Sequence, residues 1–199
     1  MWSHLPPAFR VTIVFTVLTG GLYPASVTAV SSVLFPRQAH GSLLTRDGVV
    51  VGSALIAQNF TRPEYFHPRP SAAGNGYDAA ASAGTNKGPT DRKLADSLIG
   101  PRADSLVAAG VPKGDVPTDA VTASASGLDP HISPANAYLQ VARVARARGF
   151  DSAAVRRVLD AHVEGRQFGF LGEPRVNVLL LNIALDSAFA AKRTAQTSR

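Results

Sequence analysis

Ser124, Ser126, Asp129 and His131 fall within eight residues, and they supply what a nucleophilic hydrolase needs: a hydroxyl, a base and a carboxylate to orient that base. The surrounding pattern speaks against that chemistry. No GxSxG elbow encloses either serine, and Asp129-Pro130 reads more simply as a turn ahead of a capped helix. His67, His131 and His162, with Asp129 or Glu164, are metal-ligand types, yet their spacing matches no HExxH-like pattern. Isolated histidines usually serve local hydrogen bonds, so neither a catalytic nor a metal-ligating residue is expected. A third grouping is cationic: Arg143, Arg146 and Arg148, followed by Arg156 and Arg157. Ahead of it, Gly74, Gly76, Gly84 and Gly88 could turn backbone N–H groups toward an anion. Without a GxxxxGK[ST] loop, or a GxGxxG after a strand, a conventional nucleotide fold is not supported. The arginines read first as a solvated face with snorkelling stems, and an anion-binding module is the sharper alternative.

Composition narrows the classes further. The 199 residues contain no cysteine, which removes disulfides, thiol nucleophiles and thiolate metal sites. The net charge is +6, but no long Lys/Arg run interleaves with aromatics, so no nucleic-acid partner is expected. All 14 acidic residues lie at or after Asp47.

The elements that would position these residues divide at the N-terminal quarter. Val11–Phe35 is 25 residues without a charge. As a helix it reaches roughly 37 Å, enough to cross a ~30 Å hydrocarbon core. Arg10 with Val11–Leu22, Pro24 and the small Val27–Ala29 segment also resembles a cleavable signal peptide. Apolar character continues through Val30, Val33, Leu34 and Phe35, which favours an uncleaved anchor in membrane lipid. Gly21, Ala25 and Ala29 recur every four residues and place small side chains on one face, suited to packing against another membrane helix. Arg10 on one flank and Arg37 and Arg46 on the other leave orientation undecided by charge.

The remainder reads as one mixed α+β domain. The expected layout is an N-terminal flank over 1–10, a transmembrane helix over 11–35, a soluble domain over 36–192 and a frayed tail over 193–199. Asp47-Gly48 between apolar runs predicts a β-hairpin, with Ala54–Gln58 prolonging its second strand. Pro63, Pro68 and Pro70 forbid a helix there, and Phe60, Tyr65 and Phe66 pin that segment to the domain. Ser71–Thr90 is a long Gly/Ala-rich loop, functional or disordered. Thr90 is the expected cap of a helix interrupted near Gly100-Pro101. A second helix runs from Ser133-Pro134 to Arg148, and a third starts at Asp151 or Ser152 and buries Val155, Leu159 and His162. Asn177 caps a last helix over Val178–Lys192, too short and too polar at Asn182 and Asp186 for a second span.

Several ordered motifs together resemble a known family. Tyr65-Phe66-His67-Pro68-Arg69-Pro70-Ser71-Ala72-Ala73-Gly74, Gly76-Tyr77-Asp78-Ala79, Asn86-Lys87-Gly88-Pro89-Thr90, Val121-Thr122-Ala123-Ser124, Gly127–Ser133 and Leu171–Leu185 are similar to the C subunit of the Kdp high-affinity potassium-transporting ATPase. The apolar run falls where that family has its single membrane span. Gly100-Pro101 departs from its pattern, which has an unbroken helix there. The resemblance implies a non-catalytic accessory subunit of an ATP-driven potassium pump in the bacterial inner membrane. Its implied partners are a channel-like potassium-translocating subunit and a P-type ATPase catalytic subunit. Its implied roles are stabilising the complex and raising the affinity for ATP. The resemblance also implies an extracytoplasmic soluble domain, and Gln140 matches the family glutamine linked to nucleotide. A membrane-anchored or secreted serine-type hydrolase is the alternative.

Overall fold

The computed structural model describes residues 2–46 and 48–197 of a chain that forms two compact units, Met1–Ser53 and Ala54–Arg199. In the first unit a continuous helix, α1 (Trp2–Leu34), is long and apolar enough to cross a membrane. It begins nine residues before the expected Val11. It ends where Phe35 leaves the helical region (φ −134°), the conformation that a following proline favours. Pro24 does not break it. Leu18–Leu22 forms a π turn in which the Tyr23 N–H bonds the Leu18 carbonyl, and the widened turn makes room for the proline ring that follows.

Two antiparallel strands complete this unit, β1 (Leu43–Arg46) and β2 (Val49–Ser53), with a bulge between Leu44 and Thr45. Gly48 adopts the expected positive φ of 79°. Asp47, the other expected turn residue, lies outside the described residues. The second strand does not extend over Ala54–Gln58, where turns follow Ser53 instead.

The second unit is mixed α and β. Residues 92–108 form one helix, and its last part, α2 (Gly100–Ala108), follows a π turn at Leu94–Ile99. The expected interruption at Gly100-Pro101 is therefore absorbed as Pro24 is: the Gly100 N–H reaches the Ala95 carbonyl and Pro101 comes next. The cap is Asp91, not Thr90, because the Asp91 carboxylate accepts the Lys93 N–H at 2.7 Å. A short helix, α3 (Thr118–Val121), precedes β3 (His131–Ile132).

The next helix, α4 (Pro134–Arg148), starts as expected, with Ser133 Oγ accepting the Asn136 N–H and Pro134 in the first turn, and stops at left-handed Gly149. Asp151 caps α5 (Ser152–Asp160), which buries Val155 and Leu159. His162 lies beyond the helix, half-exposed, with Nδ1 2.8 Å from the Val158 carbonyl. β4 (Val163–Glu164) and β5 (Arg175–Asn177) join β3 in a sheet of order β3-β5-β4, all antiparallel. Asn177 then caps α6 (Val178–Thr197), five residues longer than expected; Ser198 and Arg199 of the anticipated tail lie outside the described residues. The core gathers Val141, Val144, Val155, Leu159, Leu181 and Leu185 around Phe66.

Candidate functional site

Phe66 sits at the centre of a segment that cannot be held as ordinary sheet. Three prolines deprive residues 63–70 of N–H groups, so side chains must satisfy what remains of the backbone. Two amides do so for adjacent residues. Asn182 of α6, fully buried, accepts the Phe66 N–H at 2.8 Å and donates to the Phe66 carbonyl at 2.9 Å. Gln140 of α4 accepts the His67 N–H at 2.8 Å and donates to the His67 carbonyl at 3.1 Å. Two arginines of α4 complete the clamp. Arg143 donates to the carbonyls of Pro63 (2.7 Å) and Tyr65 (3.0 Å), and to Gln140 Oε1 (2.6 Å). Arg148 donates to the Glu64 carbonyl at 2.6 Å and to Asp186 at 2.9 Å, and its guanidinium lies 5.0 Å from the Tyr65 ring.

Gln140 is thus engaged at both ends of its amide, and Nε2 also donates to Asn136 Oδ1 at 3.0 Å. It borders a cleft of about 630 Å³, along with His67, Tyr77, Leu139, Arg143 and Arg146. Burial pushes the His67 imidazole below its ordinary pKa; its bond to the Arg62 carbonyl opposes that, and the Arg143 charge adds to it. A neutral ring therefore faces the cleft at pH 7.

The arginine grouping does not form one solvated face. Arg143 and Arg148 turn inward, while Arg156 lies over the Tyr138 ring and pairs with Asp160 at 3.9 Å. The Gly/Ala-rich loop packs on residues 123–128, and the Gly76 N–H is taken up by the Ala73 carbonyl at 2.8 Å. Ala73 is fully buried, the Ala73 and Tyr77 N–H groups both go to Ser71 Oγ, and the Ala83 N–H goes to the Ser126 carbonyl. Gly127 (φ +67°) is the closest approach: a Cβ there would sit 2.6 Å from both Ala73 N and Ala83 O.

The hydrolase grouping does not assemble. Ser124 Oγ faces Ser126 Oγ at 3.4 Å, and Ser126 Oγ accepts the Leu128 N–H, so among the described residues neither serine hydrogen-bonds His131. Burial alone would raise the Asp129 pKa, but bonds from the His131 ring and N–H and the Arg69 charge outweigh it and hold the carboxyl below its usual range. Its role is the turn: the His131 N–H at 3.0 Å and Arg69 Nη1 at 3.2 Å. Among the described residues no three His, Asp or Glu side chains come close enough to hold a metal.

The small-residue row lies on α1, where Ala25 and Ala29 are one turn apart and Gly21 belongs to the π turn. No residue of α1 is buried within the chain. A family model described as K+-transporting ATPase, c chain, matches residues 5–187. The chain belongs to that family. The chain is 56% identical over its full length to the potassium-transporting ATPase KdpC subunit of Gemmatimonas aurantiaca, whose own full length is also covered. It is 57% identical to the KdpC subunit of Myxococcus xanthus over 95% of this chain and 90% of that protein. For Geobacter sulfurreducens the figures are 54%, 93% and 98%.

Membership of the KdpC family agrees with a site built for position rather than chemistry. The serine-hydrolase alternative finds no support. The expectation from sequence missed Asn182, Arg143 and Arg148 as residues that hold the backbone of the 63–70 segment. Asn182 had a visible signal, an amide within the apolar run Val178–Leu185, but its partner 116 residues away in the chain did not.

Proposed function

We propose that this chain is the accessory subunit of an ATP-driven, high-affinity potassium uptake pump, held as a single-pass protein in the bacterial inner membrane by α1. The observation that carries this reading is the full-length match to KdpC subunits, which includes α1. An α1 with no buried residue among those described, offering Gly21, Ala25 and Ala29, supports docking against membrane helices of larger subunits. These are a channel-like potassium-translocating subunit and a P-type ATPase subunit that hydrolyses ATP. The chain itself stabilises their assembly. Gentle solubilisation and affinity purification should recover both larger subunits, and a deletion strain should fail to grow at micromolar potassium. Recovery of a lone chain with normal potassium uptake in the deletion strain refutes the reading.

The soluble domain lies on the extracytoplasmic side in this proposal, so it raises the ATP affinity of the catalytic subunit through its partners. Direct contact of ATP with Gln140 is the second reading, supported by the cleft that Gln140 borders. A cysteine introduced at Asn75, in a chain without native cysteine, separates the two. Labelling by a membrane-impermeant maleimide from outside the membrane retires direct contact, and protection from it retires the extracytoplasmic placement.

A further inference from the structure

Gln140 sits in a polar chain whose two ends fix which way its amide points. At one end is Asp119 of α3, a carboxylate that only accepts; at the other is Arg143, which only donates. Asp119 Oδ2 takes the Asn136 Nδ2–H at 3.0 Å and the Ser133 N–H at 2.8 Å, and Oδ1 takes the Ser133 hydroxyl at 2.7 Å. With its Nδ2 held there, buried Asn136, one turn before Gln140 on α4, presents Oδ1 to Gln140 Nε2 at 3.0 Å. Gln140 Oε1 must then face the other way, where the His67 N–H and Arg143 Nη2 reach it at 2.8 and 2.6 Å. The second Nε2 hydrogen goes to the His67 carbonyl at 3.1 Å.

Both hydrogens and both lone pairs of the Gln140 amide are therefore in use. A nucleotide in the neighbouring cleft would have to displace one of these bonds, stranding a backbone group of His67 or the side chain of Asn136 or Arg143. Arg143 is no freer, since Nη1 donates to the carbonyls of Pro63 and Tyr65. Arg146, exposed, then leaves the cleft one guanidinium against the several charges of a triphosphate. These donors do not fit ATP.

We infer that Gln140 is a positioning residue and not a nucleotide ligand: Asp119, acting through Asn136, holds its amide on the 63–70 segment. Resting on the accessory-subunit reading, any effect of Gln140 on the pump's ATP affinity is carried by that segment. Asp119, which is not among the described residues lining the cleft, shares the effect. Hydrogen exchange at the His67 amide, in the full-length chain in detergent, reads this relay directly. Gln140→Leu should speed it roughly tenfold, the weight of one hydrogen bond, and Asp119→Ala roughly threefold or more. Asp119→Asn should stay near native, because its oxygen still serves Asn136 and the Ser133 N–H while its NH2 meets the Ser133 hydroxyl. Asp119→Ser, too short to reach Asn136, replaces the alanine chain should that fail to fold. In the assembled pump, Gln140→Leu and Asp119→Ala should together raise the ATP concentration for half-maximal hydrolysis at an unchanged maximal rate, with Asp119→Asn near native. Native His67 exchange in the Asp119→Ala or Asp119→Ser chain overturns the relay. Binding of ATP to the full-length chain that Gln140→Leu abolishes and Asp119→Ala leaves intact overturns it in favour of direct contact. Unchanged half-saturation in both variants, with faster His67 exchange, overturns the transmission to ATP and leaves the relay standing. A native complex that does not form or hydrolyse ATP removes the accessory-subunit reading instead, and His67 exchange still decides the relay.

Discussion

Replacing Asn182 with leucine tests whether the buried amide holds the proline-rich segment over residues 63–70. Leucine has the same branching and the same number of side-chain heavy atoms and is somewhat bulkier, so no cavity arises and the main change is loss of the amide. It leaves the Phe66 N–H and carbonyl, now bonded at 2.8 and 2.9 Å, without partners in the core. Each stranded group costs about 1–3 kcal/mol, so about 2–6 kcal/mol is lost. The leucine returns about 1.5–3 kcal/mol of apolar burial, so the middle of the two ranges leaves a net loss of about 2 kcal/mol. With an m-value of about 2 kcal/mol per molar urea, the midpoint should fall by roughly 1 M. Urea titration of the detergent-solubilised chain, followed by circular dichroism, reads this, and hydrogen exchange at the Phe66 amide localises it. Asn182→Asp sharpens the test. Ionised aspartate keeps the acceptor but loses the donor to the Phe66 carbonyl, and its protonated form restores that donor. The aspartate variant should therefore gain stability, relative to the native chain, as pH falls from 8 to 5. A leucine variant within 0.2 M of the native midpoint, with unchanged Phe66 protection, would refute the clamp.

Gly127→Ala should destabilise by about 2–5 kcal/mol, combining left-handed strain with a collision against the Ala73 and Ala83 backbone. Gly110→Ala, also at positive φ but with open space around it, should lose only about 1–2 kcal/mol, as thermal unfolding of the pair would show. His67 binds a proton less readily folded than unfolded, so below its ordinary pKa of 6.5 the unfolded chain takes up more protons. Its contribution is therefore fully present above pH 6.5 and is lost as pH falls toward the lowered folded value. A His67→Gln chain should show a smaller drop in urea midpoint between pH 8 and 5.5 than the native chain. Gly21→Leu with Ala29→Leu on α1 should sharply reduce recovery of the larger pump subunits, whereas Val30→Leu should not.

The local elements were largely legible because their signals are local. Ser133-Pro134 and Gly149 bracket α4, Asp151 starts α5, Asn177 starts α6, and the charge-free run predicts α1. Gly100-Pro101 misled because the backbone could widen: a π turn before Pro101 keeps that helix continuous, as another does before Pro24, and hydrophobic periodicity carries no mark of either. The short sheet β3-β5-β4 was missed because strands of two or three residues leave too little alternation to read.

For the candidate site the division is sharper. Sequence by itself determined the family, the membrane-competent helix and the absence of cysteine chemistry, since these reside in ordered motifs, continuous hydropathy and composition. Only the tertiary structure decided what the polar residues do. It brought Gln140 of α4 and Asn182 of α6 to adjacent residues of one proline-rich segment and turned Arg143 and Arg148 inward onto its carbonyls. At Asp129 it added the Arg69 contact to the turn that Asp129-Pro130 already predicts. Those roles depend on partners up to 116 residues distant, and a hydrogen bond leaves no trace in sequence until folding brings its donor and acceptor together.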